Sequence, residues 1–190
     1  MKISNDKFKI DDKSILNYYE IKSNKPKLLL LHAQGTNSLS FMSVINKLSK
    51  YFHIYLVDYY GHGKSSFNRE KYNLIDIGND IIKFIEEVIK DNVSVLGHSS
   101  GGLIASYIAS NCELCSGLIL EDPPFFASVG DRRFNTYNYV DLSTVCHNFI
   151  SQDEIKDFVY YYFMNQYCWN FFPDDSREMI RTKLGELALK

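Results

Sequence analysis

A serine with a glycine two residues away on either side is the strongest candidate for chemistry in this chain. Gly97, Ser99 and Gly101 lie in VSVLGHSSGG, directly after an apolar run. A serine on a tight strand-to-helix turn exposes its hydroxyl for attack on an acyl carbon, and the strained backbone there requires small neighbours. The first amides of the following helix point to where the negative oxygen of a tetrahedral intermediate forms. The pattern therefore indicates acyl transfer, with Ser99 as the nucleophile and the Ser100 amide as one oxyanion donor.

Such a turn needs a buried strand before it and a helix after it, and the apolar pattern predicts both. Short continuous apolar runs, typical of strands buried on both faces of a parallel sheet, occupy residues 28–32, 54–58, 93–97 and 117–121. Helical patterns between these runs lie near residues 39–51, 74–90 and 101–110. Residues 7–21 predict a hairpin around Asp11. We therefore predict an α/β fold with a mostly parallel sheet and helices on both faces.

Three motifs, in chain order, resemble those of the α/β-hydrolase superfamily: LLLLHAQGTN (28–37), VDYYGHGKSS (57–66) and GHSSGG (97–102). The resemblance covers roughly residues 7–126 and implies a serine hydrolase that acts on ester or related acyl bonds of a small molecule, with no cofactor. The first motif is similar to the oxyanion loop of that family, which implies the backbone amide of Gln34 as the second oxyanion donor. Ala33 replaces the usual glycine. Ser99 argues against members that use an aspartate nucleophile.

A serine nucleophile also needs a base and an acid, which follow it in this fold in the order Ser, Asp or Glu, His. Of the five histidines only His147 follows Ser99, and no strand precedes it to hold it near the serine. We therefore expect a structural role for His147 and find no catalytic histidine. Asp122 is the candidate acid, or it orients the exit of the chain at Pro123. The 190-residue chain is accordingly predicted to hydrolyse small activated esters slowly or not at all.

The C-terminal third differs in composition from the rest. Residues 125–172 hold 15 of the 28 aromatic side chains, and no strand pattern follows them. We divide the chain into residues 1–126, the N-terminal part of the hydrolase core, and 127–190, a helical cap or lid. Two roles remain open for the aromatic run at 158–172: it lines an apolar pocket above the serine, or it packs as the core of the cap.

The family resemblance implies further strands after such a cap, and no strand pattern follows it in this sequence. We therefore expect it to lack the C-terminal part of the fold. The strand at 117–121 would then be an exposed, apolar sheet edge, which predicts self-association.

Charge, apolar content and cysteine number disfavour several other classes. With 21 basic and 23 acidic side chains, the chain has no basic surplus to attract nucleic acid. No apolar run approaches the ~20 residues of a membrane span, and the N-terminus has no apolar signal region, so we expect a cytoplasmic protein without membrane contact. Cys112 and Cys115 form a lone CxxC among four cysteines, which favours reduced thiols over a metal site.

Two further functions are weighed against the hydrolase. GHGKSS imitates the end of a phosphate-binding loop, but that motif requires a glycine where Asp58 stands, which disfavours nucleotide binding. The other alternative is a non-catalytic hydrolase-like domain that binds a ligand or a partner. Hydrolysis that depends on Ser99 distinguishes the enzyme from the binding domain.

Overall fold

The computed structural model describes residues 2–69 and 73–125, which form a six-stranded sheet with helices packed against it. The strands are β1 (Ser4–Lys9), β2 (Ile15–Ile21), β3 (Lys27–Leu31), β4 (His53–Asp58), β5 (Val93–His98) and β6 (Cys115–Glu121). The helices are α1 (Met42–Leu48), α2 (Leu74–Phe84) and α3 (Ser100–Asn111). A 3-10 helix at Ser38–Phe41 leads into α1, and a π-helical turn at Ile85–Ile89 continues α2.

The sheet order is β1-β2-β4-β3-β5-β6. β1 and β2 form an antiparallel hairpin, and β2 pairs antiparallel with β4. β4, β3, β5 and β6 then run parallel to one another. The predicted fold class is confirmed, including the hairpin, whose turn is held by a hydrogen bond from Lys13 N–H to Asp11 Oδ1 (2.8 Å).

The middle strands bury side chains on both faces because successive residues of a strand point to opposite sides. Leu29 and Leu31 pack on one face, where α2 and α3 contribute Phe84 and Ile108. Leu28 and Leu30 pack on the other face with residues of α1 and of the 3-10 helix before it. This double burial explains the continuous apolar runs of β3, β4 and β5.

At the other end of the sheet order, β6 is the outermost strand among the described residues. Leu118, Ile119 and Leu120 are 40%, 46% and 37% exposed. Cys112, after α3, and Cys115, at the start of β6, are both free thiols.

The chain forms two compact units, Met1–Pro124 and Phe125–Lys190. The predicted helical cap at 127–190 lies outside the described residues. In the described part of the chain, no helix is both long enough and apolar enough to span a bilayer.

Candidate active site

Ser99 occupies the turn between β5 and α3 with a backbone conformation that serine rarely adopts. Its φ is 53° and its ψ is −120°. A non-glycine residue in such a region carries strain of about 1–3 kcal/mol and keeps it only where its surroundings enforce it. Here Ser99 N–H donates to the carbonyl of Glu121 (2.8 Å), and the Ser99 carbonyl accepts from Gly102 N–H (2.8 Å). The strain and the enforcing bonds are those expected of a nucleophile turn.

The two glycines of the motif are required by backbone packing. A Cβ on Gly97 would overlap the carbonyl group of Gly101, within the turn itself. A Cβ on Gly101 would overlap the carbonyl groups of Leu31 and His32 at the end of β3. The start of α3 therefore lies directly against the end of β3, which brings the serine turn beside the loop that follows β3.

The loop after β3 places Gln34 next to Ser100, so the two expected oxyanion donors are neighbours. Gln34 N–H donates to Ser100 Oγ at 2.6 Å. The loop itself is a tight turn, in which Thr36 N–H donates to the carbonyl of Ala33 (3.2 Å). The left-handed residue of this turn is Gly35, with φ 75°, so the Cβ of Ala33 does not meet a positive φ.

Three rings in mutual contact, of which two are stacked, lie beside this loop. The rings of His32 and Tyr59 stack with their centroids 4.0 Å apart, and the centroid of His62 lies 4.4 Å from that of Tyr59. His32 Nδ1–H donates to the carbonyl of Ala33 (2.8 Å), and His62 Nε2 accepts from Gly35 N–H (3.3 Å). Both histidines are therefore hydrogen-bonded to the backbone of the loop that follows β3.

Burial keeps all three rings uncharged near neutral pH. It lowers the pKa of His32 to about 4 and also lowers the pKa of His62. Burial raises the pKa of Tyr59 to about 12. The Tyr59 hydroxyl lies 3.3 Å from Ser100 Oγ, so the protonated phenol is within hydrogen-bond distance of the Ser100 hydroxyl.

Asp58, at the end of β4, anchors the loop that carries Tyr59 and His62. Its carboxylate accepts from Ser38 N–H (2.8 Å), Lys64 N–H (3.0 Å) and Asn17 Nδ2 (3.0 Å). Burial raises the pKa of Asp58, but these hydrogen bonds outweigh it and bring the pKa below its ordinary value. No helix begins at Lys64 in the described stretch up to residue 69, in agreement with the absence of a phosphate-binding loop.

The candidate acid follows the strand end that contacts the nucleophile. Asp122 has φ 48° and comes directly after Glu121, whose carbonyl accepts from Ser99 N–H. This backbone bond joins the end of β6 to the serine turn. The role of Asp122 as the acid remains a prediction.

No histidine of the described part of the chain is hydrogen-bonded to Ser99 Oγ. His32 and His62 hold the oxyanion loop, and His53 Nε2 pairs with Glu20 Oε1 at 2.8 Å, on β4 and β2. His147 and the aromatic run at 158–172 lie outside the described residues. No cluster of three or more His, Cys, Asp or Glu side chains suited to a metal occurs within residues 2–69 and 73–125.

The structure brings Gln34 beside Ser100, the residue after Ser99; the sequence analysis assigned no role to Tyr59 or to the Ser100 hydroxyl. The only available signal was the position of Tyr59, directly after the aspartate that ends β4. Because β4 lies beside β3 and runs parallel to it, a residue that directly follows β4 lies close to the loop that follows β3.

The chain matches known proteins over this same region. A family model described as alpha/beta hydrolase fold matches residues 26–173. An esterase/lipase of Haemophilus influenzae is 32% identical over 124 residues, which are 63% of this chain and 43% of that protein. The pimeloyl-acyl-carrier-protein methyl ester esterase of Photorhabdus laumondii is 34% identical over 109 residues, which are 55% of this chain and 39% of that protein. The chain thus spans less than half the length of these two relatives.

Among solved structures, a bacterial membrane phospholipase A superposes with a TM-score of 0.64 and 25% identity. The superposition covers 75% of this chain and 45% of the phospholipase.

Proposed function

Because the chain belongs to the alpha/beta hydrolase family and is a hydrolase by that membership, we propose that it is a serine hydrolase of ester or related acyl bonds. The observation that carries the proposal is the strained backbone of Ser99, on the turn between β5 and α3. The next residue, Ser100, is hydrogen-bonded to Gln34. The two relatives named as esterases support an ester as the substrate.

In the proposed reaction, Ser99 Oγ attacks the acyl carbon and the hydroxyl proton passes to a base. The carbonyl oxygen becomes an oxyanion, which the backbone amide of Ser100 stabilises; the amide of Gln34, the expected second donor, is hydrogen-bonded to Ser100 Oγ in this structure. The C–O bond to the leaving group then breaks, the leaving oxygen takes the proton from the base, and an acyl group remains on Ser99. Water then attacks this acyl group, which releases the acid and restores the Ser99 hydroxyl. Asp122 is the proposed orienting acid. None of the described histidines is hydrogen-bonded to Ser99 Oγ, and a structural role is expected for His147, so slow acylation is expected of this chain.

Mass spectrometry of the intact protein with an alkyl fluorophosphonate tests the nucleophile directly. We expect one phosphonyl adduct to form slowly, on Ser99, because the reagent traps a serine even when the base is poorly placed. Ser99→Ala should abolish the adduct. Ser110→Ala is the matched control, since Ser110 lies on the same helix and its hydroxyl bonds only to the Ser106 carbonyl among the described groups.

Two results would contradict the assignment. An adduct that persists in Ser99→Ala would place the reactive group elsewhere, and the complete lack of an adduct would favour the non-catalytic binding domain. His147→Ala should label as fast as the wild type, because a structural role is expected for this histidine.

A further inference from the structure

The side-chain hydroxyl of Ser100 accepts the hydrogen bond of the Gln34 amide, which is the amide expected to bind the oxyanion. Ser100 Oγ accepts from Gln34 N–H at 2.6 Å, a short distance for a neutral hydrogen bond. The Gln34 amide therefore does not point at free space. The Ser100 hydroxyl is therefore the group that occupies the hydrogen-bonding direction of this amide.

A second hydroxyl supports the same oxygen atom. Tyr59 Oη lies 3.3 Å from Ser100 Oγ, and Tyr59 is only 2% exposed. A serine hydroxyl has two lone pairs and one proton. When Gln34 N–H and Tyr59 O–H donate to the two lone pairs, the proton of Ser100 is left free to donate to a third group.

Resting on the serine hydrolase function proposed above, we propose that the Ser100 side-chain hydroxyl donates a hydrogen bond to the oxyanion, supported from behind by Gln34 N–H and Tyr59 O–H. Ser100 then stabilises the charge with its backbone amide and its hydroxyl together. No proton is transferred in this step. Tyr59 acts only through Ser100 and is a positioning residue.

The physical advantage lies in polarisation. Hydrogen bonds in a chain strengthen one another, and a hydroxyl that accepts two bonds becomes a better donor. Tyr59 packs against both His32 and His62, which also contact each other, so these contacts restrict the orientation of its ring. The donor is therefore held in place before the charge develops, which is the condition for effective oxyanion stabilisation.

The test measures the rate of fluorophosphonate labelling of Ser99 by intact mass in the wild type, Ser100→Ala, Tyr59→Phe and the double variant. Ser100→Ala should slow labelling about 100-fold, the size of effect seen when one oxyanion donor is removed. Tyr59→Phe should slow it about 5-fold in the wild type. In the Ser100→Ala background the same Tyr59→Phe change should have no further effect, because the tyrosine has lost the group through which it acts.

Controls separate this role from a purely structural one. Ser100→Thr keeps a hydroxyl and should restore most of the rate lost in Ser100→Ala, whereas a role in packing alone predicts no such rescue. Ser110→Ala should label at the wild-type rate. Circular dichroism melts of each variant report whether the fold has changed.

The outcomes are distinct. Labelling of Ser100→Ala at or above the wild-type rate would overturn the inference. The hydroxyl would then have no effect on the rate or would obstruct the site, while Ser99 would still be the nucleophile. A Tyr59→Phe effect that persists in the double variant would also overturn it. The absence of a Ser99-dependent adduct in the wild type would instead reject the proposed function, and this inference with it.

Discussion

His32 is a completely buried histidine whose ring is only partly satisfied. Its Nδ1–H donates to the Ala33 carbonyl, while its Nε2 has no hydrogen-bond partner among the described residues. Protonation would place a positive charge on this buried ring, and the Ala33 carbonyl and the charge of Asp58 only partly offset the loss of hydration. The low pKa of His32, about 4, expresses that cost.

This cost predicts that the fold is sensitive to mild acid. The pKa of His32 is 6.5 when unperturbed and about 4 in the folded chain, so between these values the unfolded chain binds the proton more tightly. The free energy of unfolding should therefore fall as pH drops from about 6.5 to 4, by about 3 kcal/mol for His32 alone. Urea unfolding at pH values across this window measures the slope.

The non-titrating variant His32→Gln should lose most of this slope, whatever its stability at neutral pH. The lowered pKa of His62 contributes a slope of the same sign. Asp58 loses its stabilising charge only below pH 3.8, since its folded pKa is lowered from that value. An unchanged slope in His32→Gln would assign the acid sensitivity to other groups.

At the scale of single residues, the features that could be predicted from the sequence are those that depend only on residues near one another in the chain. Ser99 and its flanking glycines are recognisable because a strained turn restricts residue types within five positions. The contact between Tyr59 and Ser100 spans 41 residues and depends on how β4, β3 and α3 meet. Nothing in the local sequence of either residue specifies that contact.

At the scale of elements, α3 packs closely against the end of β3 because Gly101, at the contact, has no side chain. The first turn of α3 packs so closely on the Leu31 and His32 carbonyls that a methyl group at position 101 has no room. The obstruction is backbone, which cannot turn aside as a flexible side chain would. The closeness of this helix and strand is what brings Ser100 to Gln34.

Alanine substitutions should measure this closeness. Gly97→Ala and Gly101→Ala should each lower the free energy of unfolding by about 3 kcal/mol, because the added methyl group overlaps backbone. Gly35→Ala is the matched control, since a Cβ there meets nothing within 4 Å and its positive φ of 75° alone should cost about 1 kcal/mol. Equal losses in all three variants, by urea unfolding, would contradict the packing argument.

Strands and helices were predictable here because their apolar patterns agree with their burial. The leucines of β3 face two cores at once, and only a strand buried on both sides accepts such a run. The π-helical turn at Ile85–Ile89 was not predictable. It ends at Lys90, whose left-handed φ of 54° has no local sequence signal such as glycine.

For the whole molecule, β6, the outermost strand among the described residues, is the feature with the largest consequence for behaviour in solution. Leu118, Ile119 and Leu120 are each more than a third exposed. Unpaired edge strands with apolar side chains are templates for pairing between chains. We therefore expect self-association through this edge.

Sedimentation velocity tests this expectation over a range of protein concentrations. Ile119→Lys places a charge on the edge and should shift the distribution towards the monomer. Ile75→Lys is the matched control, since Ile75 is 56% exposed on α2 and away from β6. A wild-type protein that stays monomeric, or an equal effect of both substitutions, would contradict association through β6.

The strand order also determines what the chain exposes while it is being synthesised. β3 lies between β4 and β5, and both of these partners follow it in the chain. At about 5–20 residues per second, the ribosome needs about 3–13 s to proceed from the end of β3 to the end of β5. Throughout that interval one edge of a strand of four leucines has no partner. Chaperones that bind extended apolar segments of nascent chains will therefore find their best target at residues 28–31, before the serine turn exists.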